Sequence, residues 1–89
     1  MEQQAIIQSI KERGYIGYDG RLWTKYSVCD LLALITGVHS LHTPDLVEQV
    51  QQAARLTDQQ MQYGGAISIE QVEQIAACLT GPERSKYIP

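Results

Sequence analysis

The spacing of apolar residues changes character along the chain. Residues 2–13 set Ala5, Ile6, Ile7 and Ile10 among Gln3, Gln4, Gln8 and Lys11. That is one apolar face at helical spacing, and it predicts a short amphipathic helix ending at Gly14. From Tyr15 the period drops to two. The runs YIGY and RLWT flank Asp19-Gly20, a dipeptide favoured in type I′ turns because both central positions need positive φ. A β-hairpin over about 15–24 is therefore expected. With a two-residue turn, Tyr18 faces Arg21 and Ile16 faces Trp23 on one side, and Tyr15, Gly17, Leu22 and Thr24 share the other. One side has to rest on helices, because an isolated hairpin is marginal in water.

Helical spacing returns at VCDLLALIT, where Ser27 can cap the first turn and Gly37 stops the run. Val28, Leu31, Leu32, Leu34 and Ile35 make this segment apolar nearly all round, so it is expected to be the central helix. Thr43-Pro44-Asp45 supplies a cap, a proline whose missing N–H is harmless, and an acid at the positive end of a third helix. The third stripe runs through Leu46, Val47, Val50, Ala53 and Ala54. Its pattern leaves open a continuous helix to Tyr63 or a break near Thr57-Asp58, and Gly64-Gly65 ends it either way. Ser68 and Gln71 form a capping box for a last helix, whose face is Ile69, Val72, Ile75, Ala76 and Leu79 and whose stop is Gly81-Pro82. The expected fold is mainly α: a small domain of about four helices with a short β-hairpin between helix 1 and helix 2. Residues 1–82 form that single domain, and 83–89 are expected to be a short flexible tail.

At 89 residues one modest core is available, burying roughly 60–65% of the unfolded surface. Eleven glutamines give the wet helix faces polarity with little charge, which tolerates self-association. No run approaches the ~18 apolar residues of a membrane span, and the start MEQQAIIQSIKERG lacks the basic and apolar regions of a signal peptide. A cytoplasmic location is expected on those grounds. Cys29 and Cys78 each fall within an apolar helical pattern and are expected to be small core residues with free thiols.

Charge narrows the chemistry. Residues 27–80 carry one basic side chain, Arg55, against six acidic ones. Helices 3 and 4 therefore lack the phosphate anchors that a DNA-recognition helix needs. A nucleic-acid alternative survives only at the hairpin, where Tyr15, Tyr18, Trp23 and Tyr26 stand with Arg13, Arg21 and Lys25, a composition able to stack bases and contact phosphates. The plainer expectation packs Ile16 and Trp23 against helices. His39-Ser40-Leu41-His42 is an H-x-x-H, and with Cys29 and Cys78 it makes four soft ligands, the number in a structural zinc site. The cysteines are not a close pair, so zinc is a second alternative and no metal ligand is assigned. Cys29 with His39 as its base lacks an electropositive setting, since Asp30 adjoins the thiol. No catalytic residue and no cofactor are assigned.

What remains is an interaction protein that works through surface shape: a regulator, adaptor or inhibitor binding another protein, of a size and acidity that suit a bacterial or phage accessory factor. The expected partner surface is Tyr15, Tyr18, Arg21, Trp23, Lys25 and Tyr26, residue types enriched at binding hot spots. Leu56, Met61 and Tyr63 exceed what a small core needs and are expected to seal a homodimer.

Overall fold

Ile6 and Ile10, one helical turn apart, are completely buried, and they fix the first helix, α1 (Gln3–Glu12), against the rest of the chain. The computed structural model describes residues 3–39 and 45–80. Gly14 opens strand β1 (Gly14–Ile16), which pairs antiparallel with β2 (Leu22–Thr24). Helix α2 (Val28–His39) follows, then α3 (Leu46–Ala53), α4 (Asp58–Tyr63), a third strand β3 (Gly65–Ile67) and α5 (Ile69–Thr80). The chain is mainly helical, with a hairpin between its first two helices and a small antiparallel sheet in the order β1-β2-β3. Helix α5 packs on α1 and α3, and α2 packs on α4 and α1. The expected stop at Gly81-Pro82, the cap at Thr43-Pro44 and the tail 83–89 lie outside the described residues.

The hairpin forms with a register shifted by one residue from the expected one. Gly17 N–H donates to Arg21 O (2.8 Å) and Gly20 N–H to Gly17 O (3.0 Å), enclosing a loop of Tyr18, Asp19 and Gly20. Gly20 has φ +81°, so the connection is a turn closed by a left-handed glycine, and not a two-residue type I′ turn. Because side chains alternate, a shift of one residue changes every cross-strand partner. Tyr15 pairs with Trp23 and Ile16 with Leu22. Leu22 and Thr24 point inward and are buried, whereas Trp23 points out. Ile16 shares the inward side with Leu22 but sits on the edge strand and is 55% exposed, so the expectation that Trp23 and Ile16 pack on helices is corrected for both.

Helix α2 is capped as expected: Ser27 Oγ accepts from Asp30 N–H at 3.1 Å. It continues through Gly37 to His39, since glycine weakens a helix without forbidding it. Val28, Leu31, Leu32 and Ile35 are buried, but Cys29, Ala33, Leu34 and Val38 lie on an exposed face. Cys29 is therefore a surface thiol, contrary to expectation, and Cys78 is a buried one; the two do not form a disulfide.

The third apolar stripe breaks into two helices. Arg55 adopts φ +55°, and two hydrogen bonds, Leu56 N–H to Gln51 O and Arg55 N–H to Gln52 O, close the end of α3 in the pattern of a Schellman motif with arginine where glycine is usual. Thr57 then caps α4 through a capping box with Gln60. At the start of α3, Asp45 holds the N-cap position without a side-chain cap bond.

The core these elements share is aliphatic. Its fully buried larger side chains are isoleucine, leucine and valine, including Ile6, Leu22, Leu31, Ile67, Ile75 and Leu79. Leu56 and Met61, 5% and 4% exposed, belong to it. They are not surplus surface, which corrects the reason for expecting them in a homodimer seal. Of that trio only Tyr63 stands at the surface, 78% exposed.

Candidate functional site

Strand β2 occupies the middle of the sheet, so its alternation decides what each face presents. Inward, Leu22 meets Ile16 on one side and Ile67 on the other, and Leu22 and Ile67 are fully buried. Outward, Trp23 stands between Tyr15 of β1 and Ala66 of β3. Tyr15 is 65% exposed and Trp23 39%. The outward face is thus a row of two aromatic rings and a methyl group, and among the described residues both rings remain open to solvent.

The loop fixes the indole. Asp19 Oδ1 accepts from Arg21 N–H at 3.0 Å and from Trp23 Nε1–H at 3.5 Å, and Asp19 Oδ2 lies 3.9 Å from Arg21 Nε. The ring leans across Gly17, where a Cβ would come within 2.5 Å of Nε1 and 2.7 Å of Cδ1. Glycine is needed at that position for space, not for backbone freedom. Asp19, which has no role in the sequence expectation beyond its turn, orients the ring and holds Arg21 on the same side.

Two cations bracket the indole along β2. Arg21 precedes the strand with its side chain 63% exposed, and Lys25 follows it, exposed, with Nζ 5.7 Å from the centroid of the Tyr26 ring. Arg13 directly precedes β1. Over residues 13–27 there are three cations and one carboxylate, in a chain of net charge −3, and that carboxylate already contacts Arg21 and Trp23. The face is locally basic on an acidic body.

The six residues expected to form a partner surface divide accordingly. Tyr15, Arg21 and Trp23 come together on the outward face, and Lys25 flanks it. Tyr18 sits at the loop tip, fully exposed. Tyr26 does not join them; it is half-buried against the core. Ala66 completes the face without having been foreseen, because strand β3 offers only Gly65, Ala66 and Ile67 as a sequence signal.

Other concave or reactive places carry less. An open groove of about 480 Å³ between α3 and α5 is lined by Arg55, Ser68, Glu70, Gln71 and Glu73 among others. Its inner polar groups are already committed: Gln71 Oε1 accepts from Ser68 N–H, and Gln71 Nε2 donates to Ala54 O and Arg55 O. Among the described residues no three His, Cys, Asp or Glu side chains are grouped to hold a metal ion, and His42 of the H-x-x-H lies outside them. Among them, too, no helix is long and apolar enough to cross a membrane. No protein-family model, curated protein or solved structure matches the chain.

Proposed function

We propose that this chain is a small interaction module, acting as a regulator, adaptor or inhibitor, that binds another protein through the outward face of its sheet. One observation carries the reading. The core is built of aliphatic side chains, while Tyr15 and Trp23 are paired across two strands and left open to solvent. A domain of this size could use Trp23 to enlarge its core, since an aromatic ring buries some 150–250 Å². Here Asp19 and Gly17 instead hold the indole at the surface in one orientation. An ordered, exposed aromatic pair loses little conformational entropy on binding, which is why such residues concentrate at hot spots. The reading assigns no catalytic residue.

The test compares capture of a partner from the native host by the wild-type chain, by the Tyr15→Ala/Trp23→Ala double variant and by Tyr63→Ala. Both variants remove exposed rings. Loss of the captured protein in the double variant alone, with helical content unchanged by circular dichroism, is the expected outcome. Loss in Tyr63→Ala with retention in the double variant would move the working surface to α4 and end this reading.

A further inference from the structure

A ligand lying on the face of a sheet finds no backbone partners there, because the N–H and C=O groups of the strands point sideways within the sheet. Its own backbone must stay hydrated while its side chains meet Tyr15 and Trp23. The polyproline II conformation meets that condition, having a solvated backbone, no internal hydrogen bonds and little entropy to lose. Proline rings against exposed aromatic side chains are a recurrent form of such recognition. The patch is also small. Strands of three residues span about 10 Å, enough for one turn of an extended segment.

Charge selects the rest of the ligand. Arg21 stands just before β2 and Lys25 just after it, each two residues from Trp23 in sequence; Asp19 is engaged with Arg21, and Lys25 Nζ lies 5.7 Å from the Tyr26 ring centroid. Carboxylates on a bound segment therefore have a cation flanking each end of the central strand. A long polyanion fits less well, since one overrunning the patch meets a body with six acidic side chains and one basic over residues 27–80.

We propose that the outward sheet face binds a short acidic, proline-bearing segment of a partner protein in the polyproline II conformation, with proline against Tyr15 and Trp23 and carboxylates toward Arg21 and Lys25. The proposal rests on the reading of this face as the interaction surface.

Trp23 is the only tryptophan of the chain, so its emission reports on the site directly. The experiment titrates the full chain with four probes: a synthetic peptide alternating glutamate with proline, the same peptide with lysine for glutamate, the same peptide with glycine for proline, and a short oligothymidylate. The expected result is a saturable change with the glutamate–proline peptide and little or none with the others. In an Arg21→Ala/Lys25→Ala variant, folded by circular dichroism, its affinity falls about tenfold or more. An equal response to the lysine or glycine peptide overturns the proposal, as does tighter binding of the oligothymidylate, which would make the face a single-strand platform. Silence of Trp23 toward all four also overturns it. The capture experiment then decides separately about the face itself: if the Tyr15→Ala/Trp23→Ala variant still loses its partner, the surface stands and only the ligand chemistry is wrong.

Discussion

Two glycines meet aromatic neighbours in opposite ways, and the difference predicts opposite consequences. At Gly64 an added Cβ collides with the carbonyl oxygen of Tyr26 and lies 2.9 Å from its carbon, and the backbone has φ +78°. Neither the strand-to-helix junction at Tyr26-Ser27 nor the left-handed conformation can give way cheaply, so Gly64→Ala should lose about 3 kcal/mol or more. At Gly17 the obstacle is the rim of the Trp23 indole, a side chain that is already partly in water. Gly17→Ala should cost no more than about 1 kcal/mol while pushing the ring off Asp19. Denaturant melts of both variants with their Trp23 emission spectra check this: a large midpoint shift and little spectral change in native Gly64→Ala, the reverse in Gly17→Ala. If Gly17→Ala leaves the emission unaltered, Trp23 is not held by that glycine. Arg55 is a third special position, a side chain bearing φ +55° at a helix end. Arg55→Gly should stabilise by about 0.5–1 kcal/mol, relief of the left-handed penalty exceeding the extra chain entropy of glycine. A lowered melting midpoint would contradict it.

Between elements, glutamines that composition alone merges have different roles. Those on outer helix faces, such as Gln74, are exposed. Gln60 and Gln71 instead belong to two capping boxes, Thr57/Gln60 and Ser68/Gln71, and their amides bond to each other in both directions at 3.1 and 3.2 Å. Gln60 also donates to Ala66 O on β3, and Gln71 donates to the carbonyls that end α3. One amide pair thus ties the α3 break, α4, the third strand and the start of α5 together. Glutamate, usual at this place in a capping box, would accept the cap bond but could not donate to those carbonyls. Gln71→Ala and Gln71→Glu should each lose about 2 kcal/mol or more, against less than ~0.5 kcal/mol for Gln74→Ala. Equal effects at positions 71 and 74 in chemical denaturation would show that the network contributes nothing. Part of this is legible in the sequence: Thr57-Asp58-Gln59-Gln60 repeats the spacing of Ser68 and Gln71 and marks the break of α3. The hairpin and the Ser27 cap were equally legible. The register was not, because Asp19-Gly20 suits both a two-residue turn and a longer loop with Gly20 left-handed, and one residue of slip exchanges Ile16 for Tyr15 opposite Trp23. Strand β3 was not legible either, since Gly65 and Ala66 have low strand propensity and their pairing is imposed by the edge of β2.

At the scale of the molecule, the proposed surface depends on helices that it does not contain. Three strands of three residues cannot hold themselves together in water; Leu22 and Ile67 hold the sheet to the core from behind, each contributing about 1.5–3 kcal/mol by burial. Thr24, on the same inward side, is buried and accepts from Tyr26 N–H, at the bend leading into α2. Tyr15 and Trp23 are consequently a rigid pair only while Ile6, Ile10 and the faces of α2 and α5 are packed. Melting should therefore be a single event, in which the Trp23 signal, reporting on the sheet, and far-ultraviolet circular dichroism, reporting on the helices, follow one curve with one midpoint. A Trp23 transition at lower denaturant than the helical one would make the hairpin a separately opening unit. Its aromatic face would then have to be ordered by the ligand, and binding would carry the entropic cost that a preformed face avoids.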